Sequence, residues 1–260
     1  MPRLALGIEY DGSAFRGWQS QAHAIGIQSV VEAALSKVAD HAVAVVAAGR
    51  TDACVHACMQ VAHFDSMAIR TERGWTLGGN THLPKHISLL WAREVPDDFH
   101  ARYSAEARSY RYIILNRAAR PALAFDRVCW VRDKLDERRM QSAASLLLGE
   151  HDFSSFRAAE CQAHSPVRNL QEVRVERHAD RVTLDVTANA FLHHMVRNIA
   201  GVLLAIGTGE RPVEWAAEVL AARDRRCGGV TAAPQGLYLV GVKYPPEYRL
   251  PTAMVLPPIG

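Results

Sequence analysis

The segment Gly49-Arg50-Thr51-Asp52-Ala53 sets a carboxylate two residues after a guanidinium, directly behind the continuous apolar run Ala42–Ala48. A run of that kind reads as a buried strand, so the polar side chains that follow emerge where a core element enters a loop. Such a position suits a group held rigidly while it reaches a substrate. An aspartate there can act as a nucleophile or as a base; the same residues would equally serve as a turn cap and a surface charge. Just beyond lie Cys54, His56, Cys58 and His63. They lack a CxxC pair, and the chain has no zinc-deaminase pattern, so packed side chains are expected rather than metal ligands.

Stepping outward, Leu4, Leu6, Ile8 and Tyr10 alternate as a strand, Ser29–Ala39 has helical spacing, and Ala42–Ala48 leads to the acidic loop. A strand over Gln60–Phe64, a helix near Glu72–Gly79 and a strand over Ile87–Val95 follow. The order then repeats: strand Tyr110–Leu115, helix Leu135–Leu148, and a hairpin of Glu172–Glu176 with Val182–Val186 turning at Ala179 and Asp180. Helix Phe191–Ile206, a further helix Val213–Ala222 and strand Leu237–Val242 complete it. Two successive β-α-β-β-α-β units point to an α+β fold. Two ferredoxin-like subdomains, residues 1–102 and 103–260, are expected to share a mainly antiparallel sheet, with helices on one side and a cleft between them. Fold alone assigns no function, because this architecture hosts many activities.

Composition narrows the classes further. A hydrophobic fraction of 49% over 260 residues supports a real core. There is no apolar run long enough to span a membrane, and MPRLALGIEY lacks the features of a signal peptide, so a cytoplasmic protein without membrane partners is expected. Five scattered cysteines read as free thiols. Net charge is only +3, and of the 30 basic residues only Lys37, Lys85, Lys134 and Lys243 are lysine. Residues 100–139 carry ten basic side chains against five acidic ones. Guanidinium forks match phosphate geometry, so that stretch can face nucleic acid, although it can also be a solvated face.

The segment Gly49-Arg50-Thr51-Asp52-Ala53-Cys54-Val55-His56-Ala57 closely resembles GRTDAGVHA, the signature of the tRNA pseudouridine synthase A family, with Cys54 in place of the usual glycine. The resemblance continues through Tyr10-Asp11-Gly12-Ser13, Gly17-Trp18-Gln19, Pro96-Asp97-Asp98-Phe99-His100-Ala101-Arg102 and Arg111-Tyr112-Ile113-Ile114. It extends to Asp152-Phe153, Ser155-Phe156-Arg157, Asn189-Ala190-Phe191, His193-His194-Met195-Val196-Arg197-Asn198 and Gly236-Leu237-Tyr238-Leu239. If the replaced glycine adopts positive φ, Cys54 strains the loop.

The resemblance implies a cofactor-independent enzyme that converts uridine to pseudouridine at positions 38, 39 and 40 of the tRNA anticodon stem-loop, working as a homodimer. It makes Asp52 the essential carboxylate. Arg197 becomes the cation that keeps it ionised, and helical spacing over Phe191–Ile206 sets Arg197 with His193 and Gly201, away from the stripe of Phe191, Met195, Ile199 and Val202. Tyr110 becomes the residue against the target base, and Arg50 the side chain that fills the space a flipped base vacates. RNA grip is expected from Phe99, His100, Arg102 and Tyr103, where rings and charges interleave, from Arg70, and from the loop carrying Glu160, Cys161, Gln162 and His164. Two other classes compete: a non-catalytic tRNA-binding protein or chaperone on the same fold, and an enzyme acting on a small metabolite. The first needs no carboxylate facing phosphates, and the second leaves the aromatic-basic run without a use.

Overall fold

A computed structural model describes residues 1–20, 24–251 and 253–259. The fold is mixed α+β, with ten strands and five α-helices among the described residues, and the chain forms two compact units. The first comprises Met1–Glu106 together with Tyr238–Pro257; the second comprises Ala107–Leu237 and Pro258–Gly260. A C-terminal segment thus belongs with the first unit rather than with the residues that precede it.

In the first unit, β1 (Arg3–Tyr10), α1 (Ile27–Ala39), β2 (Val46–Ala47), β3 (His56–Asp65), α2 (Glu72–His82) and β4 (Ile87–Val95) follow in order. Antiparallel pairing sets β1 between β4 and β3, and β10 (Leu237–Lys243) adds to β3 in parallel. Nine of the ten β3 residues are buried, as an interior strand requires. Helix α1 buries Ile27, Val31, Ala34, Leu35 and Ala39, the spacing of one helical face, and stops at Asp40, whose φ is 60°. Helix α2 starts at Thr71, whose hydroxyl accepts from the Gly74 amide at 3.0 Å. Arg3 staples the start of β1, donating to both Asp65 oxygens and to the carbonyls of Asp97 and Phe99.

One expectation fails here. Ala42–Ala48 is not a continuous buried strand: only Val46 and Ala47 pair, and burial alternates along the segment. The reason lies in α1, whose Ser36 hydroxyl and Glu32 carboxylate accept from the Val43 and Val45 amides, so those groups never join a ladder.

In the second unit, β5 (Ala107–Asn116), β6 (Cys129–Val131), α3 (Glu137–Ser145), β7 (Gly149–Asp152), β8 (Val167–His178), β9 (Arg181–Ala188), α4 (Met195–Gly207) and α5 (Trp215–Ala222) follow. The antiparallel order is β5-β9-β8-β7, with β6 parallel to β5. The β8–β9 hairpin turns at Ala179, φ 54°, and Asp180, where the sequence placed it. Helix α4, in contrast, starts four residues later than its apolar spacing suggested. Phe191 and His193 lie outside it, and Gly201 is buried rather than on an open face. Nearly the whole of α4 is buried, so it has no single apolar stripe. No helix of the described residues is long and apolar enough to cross a membrane.

His63, 5% exposed on β3, accepts the Ala101 amide at 3.1 Å through Nδ1, and burial, helped by the neighbouring His100 and Arg3 charges, lowers its pKa to about 4. The unfolded chain therefore takes up a proton near pH 6.5 that the folded chain refuses until about pH 4, so stability falls as pH drops through that window. The loss is at most about 3.5 kcal/mol at about 1.4 kcal/mol per pKa unit. His63→Gln, which can still accept the Ala101 amide, should lose less stability than wild type between pH 7 and pH 4.5 in urea titrations. Equal losses would refute this origin of the acid sensitivity.

Candidate active site

Asp52 sits half-buried on the loop joining β2 to β3. Its carbonyl accepts from the Val55 amide at 3.2 Å, closing a four-residue turn in which Cys54 has φ 63°. Positive φ at the third position is the pattern of a type II turn, where glycine is favoured. Cys54 thus occupies a conformation that costs a residue with a β-carbon about 1–2 kcal/mol. Its thiol lies 3.8 Å from the Ser13 carbonyl oxygen.

The segment around residues 10–18 fixes this turn from outside. Trp18 donates its amide to the Thr51 carbonyl at 3.0 Å, and the Cys54 amide reaches the Phe15 carbonyl at 3.4 Å. The Tyr10 and Thr51 hydroxyls are 2.8 Å apart and buried, while Gln60 donates to the Gly49 carbonyl at 2.7 Å. Asp11 caps the short 3₁₀ turn Gly12–Ala14, accepting from the Ser13 amide and hydroxyl. Gly12 leaves space for the Val55 backbone, since a β-carbon at position 12 would overlap the Val55 carbonyl oxygen. His56 is buried below, stacked on Tyr238 at 4.7 Å, with Nδ1 3.1 Å from the Gly12 amide and 3.2 Å from an Asp11 oxygen. Cys58 is buried as well, so these groups pack the loop's base.

The remaining first-unit candidates fall in two places. Arg50 is exposed on the Asp52 loop, whereas Arg70 is exposed beside the start of α2, its guanidinium on the Ile69 carbonyl. The run Phe99–Tyr103 divides by exposure. Tyr103 is 76% exposed, its ring stacked on His100 at 4.3 Å and the Arg102 guanidinium 5.6 Å from its centroid. Phe99 is fully buried against Tyr244 and Tyr248, which leaves it as the support under the run. Burial, ahead of the Arg3 charge, lowers the His100 pKa.

In the second unit, Tyr110 is buried on β5 with its ring edge-to-face against Phe191 at 5.1 Å. Two residues on, Tyr112 shares its side of the strand and donates to the Ala233 carbonyl at 2.7 Å. Arg197, half-buried on α4, donates Nε to the Ala232 carbonyl at 2.9 Å, and the Ala232 amide returns to the Arg197 carbonyl. Burial raises the Tyr112 pKa well above its ordinary value, while the Arg197 charge opposes it. Glu160, Gln162 and His164 are exposed, and Cys161 is half-buried with its amide on the Ala158 carbonyl. Several arginines of the basic stretch are engaged within the unit: Arg111 grips Asp185 through two bonds and Arg108 donates to the Asn189 carbonyl.

A family model described as tRNA pseudouridine synthase matches residues 7–104 and 143–245. The chain belongs to that family. Relatives named tRNA pseudouridine synthase A include the protein of Nitrosococcus oceani, 58% identical over 249 residues and 96% of both chains. That of Coxiella burnetii is 57% identical over 251 residues and 96% of both chains. The Pseudomonas aeruginosa protein is 57% identical over 250 residues, 96% of this chain and 88% of its own. Among solved structures, one described as a crystal structure of a Cbf5-Nop10-Gar1 complex matches 90% of this chain and 57% of its own at 10% identity and a TM-score of 0.38, too distant to bear on the fold. In this member of the synthase family, the supporting roles of Tyr10 and Gly12 were not evident beforehand, because each acts on the Asp52 loop from about 40 residues away in the chain, and that of Gln60 was not because its side-chain amide turns back from β3 to the Gly49 carbonyl.

Two substitutions test the turn. Gly12→Ala should destabilise the protein by about 1–3 kcal/mol and lower turnover, because the Val55 backbone must move. Cys54→Gly should raise stability by about 1 kcal/mol, since it removes the left-handed penalty and keeps every backbone bond. Denaturant melts decide both; a less stable glycine variant would contradict the strain assigned to Cys54.

Proposed function

We propose that this protein is an isomerase that converts uridine to pseudouridine in tRNA, with Asp52 as the reacting carboxylate. The reading is carried by the Asp52 loop, a half-buried acid on a turn fixed from several sides, in a chain of this synthase family. The reaction breaks the bond between ribose C1′ and uracil N1, turns the base and joins C1′ to C5. The proton on C5 leaves and N1 gains one, so no redox partner or external group enters. Two routes use the same carboxylate: addition to the nucleotide, or removal of a ribose proton.

In this proposal Arg197 supplies the guanidinium that pairs with the Asp52 carboxylate. Its Nε bond to the Ala232 carbonyl fixes the guanidinium. Tyr110 lies against the base and exchanges a proton, and Arg50 fills the space left by the extruded nucleotide, an opening that costs a few kcal/mol. Tyr103 and Arg102 offer an exposed ring and charge for an unpaired base and a phosphate, with His100 and Phe99 beneath them. Arg70 and the loop of Glu160, Cys161, Gln162 and His164 add peripheral RNA contacts. The target uridines lie on the 3′ side of the anticodon arm, and the enzyme acts without cofactor in the cytoplasm as a homodimer. We further read the units as ferredoxin-like, a reading supported by the β4-β1-β3 order and the two helices of the first.

Incubation with unmodified tRNA followed by pseudouridine mapping tests the assignment. Wild type should form product, and Asp52→Asn should lower the rate by at least roughly 10³-fold while keeping tRNA affinity within about threefold. Product from both at similar rates would remove Asp52 from the chemistry.

A further inference from the structure

The family motif Ser155-Phe156-Arg157 has no part in the chemistry above, yet the second unit builds a cavity around it. The cavity, about 330 Å³ and open to solvent, is lined by Ser154, Arg157, Ala158, Ala159, Arg223, Asp224 and Arg225. Three guanidinium-bearing residues thus meet one carboxylate. That carboxylate is already spent: Asp224 binds Arg226 through Nε and Nη2, and these bonds hold its pKa down to about 2. The other acid nearby, Asp152, is 3.8 Å from Arg223 Nε, too long for a strong hydrogen bond and with the Arg223 side chain 69% exposed.

The two segments that form the walls are tied together. The Asp224 amide donates to the buried Ser155 hydroxyl at 2.8 Å. Asn198, buried on α4, donates to the Phe156 carbonyl at 2.7 Å and accepts from Arg225 Nη2 at 3.1 Å, while Thr231 accepts from the same Arg225 nitrogen at 2.9 Å. Arg225 is thus a fixed part of the wall. The Arg157 guanidinium, by contrast, donates no hydrogen bond to the described residues, so its fork is available to an acceptor.

We propose that this cavity is a seat for a phosphodiester of the RNA substrate, with Arg157 and Arg223 as the two donors that engage it. A planar guanidinium presents paired N–H groups matched to phosphate oxygens. Arg157, Arg223 and Arg225 against Asp224, already bound by Arg226, and the one further acid Asp152 leave an excess of positive charge that favours an anion over a cation or an apolar group. The identification of the anion as RNA rests on the proposed tRNA activity; an isolated phosphate shares the chemistry.

Full-length wild type, Arg157→Gln, Arg223→Gln and Arg223→Lys should be titrated with unmodified tRNA over a salt series, and separately with inorganic phosphate. Each glutamine variant should weaken tRNA binding about 3- to 10-fold near 0.1 M salt and reduce the slope of log K against log salt by about one. Turnover at saturating tRNA should be unchanged, and Arg223→Lys should restore the slope because charge is kept. Unaltered affinity and slope in both glutamine variants would overturn the proposal. So would loss of inorganic phosphate binding with tRNA binding intact, which would make the seat one for a free anion. Absence of pseudouridine from wild type would instead count against the proposed activity, which the binding slopes do not measure.

Discussion

The close approach of the Gly12 backbone to Val55 is the constraint on which the acidic loop depends. A turn presenting a carboxylate carries its own unpaired amides and carbonyls, and each must be answered if the turn is to hold one conformation. Here the answers come from a neighbouring stretch of backbone, through Trp18 and Phe15, and from two buried side chains, Tyr10 and Gln60. Backbone can lie against backbone only where a β-carbon is missing, so the hydrogen bonds and the glycine are one device. A group preorganised this way needs little reorganisation when a substrate arrives.

The second unit solves the same problem with a different material. Arg197 stands on a helix that is buried on almost every side, so its backbone cannot drift. The exchange of bonds between Arg197 and Ala232 then fixes the side chain as well as the helix. A long, rotamer-rich guanidinium loses most of its freedom before any ligand binds, which reduces the entropy that binding would otherwise cost.

How far the sequence led follows from what each signal measures. The apolar pattern of β4 and the turn residues of the β8–β9 hairpin are local, so the bounds of β4 and the position of the turn were read as they stand, while the two hairpin strands run well beyond the segments expected for them. The run Ala42–Ala48 misled because apolar composition reports burial, whereas strand pairing was decided by Ser36 and Glu32 of a different element. Helix α4 was placed too early because Phe191 continues the apolar spacing, while His194 with φ 63° marks where the helix starts. Asp52 and Arg50 were legible as a motif on one loop, and the strain expected at Cys54 on condition of a positive φ applies, since φ there is 63°. Phe99 was expected among the RNA contacts, but a ring with no exposed area serves as a support. The Arg157 cavity was out of reach, since Ser155 and Asp224, whose bond ties its walls, are 69 residues apart in the chain.

The turn at Cys54 shows why such a loop tolerates a local fault. A left-handed residue with a β-carbon costs about 1–2 kcal/mol, while each buried hydrogen bond closing the loop contributes about 0.5–1.5 kcal/mol, and leaving one unmade costs more. Relaxing Cys54 toward negative φ would disturb the bonds its own turn makes, from the Val55 amide to the Asp52 carbonyl and from the Cys54 amide to the Phe15 carbonyl. The strained geometry is therefore the lower-energy choice. Strain of this kind stays confined to the backbone at residue 54 rather than spreading to the carboxylate two residues earlier, because the Val55-to-Asp52 bond and the Trp18-to-Thr51 bond clamp the turn on both sides of it. A glycine restored at that position would change the stability of the loop more than the direction of Asp52.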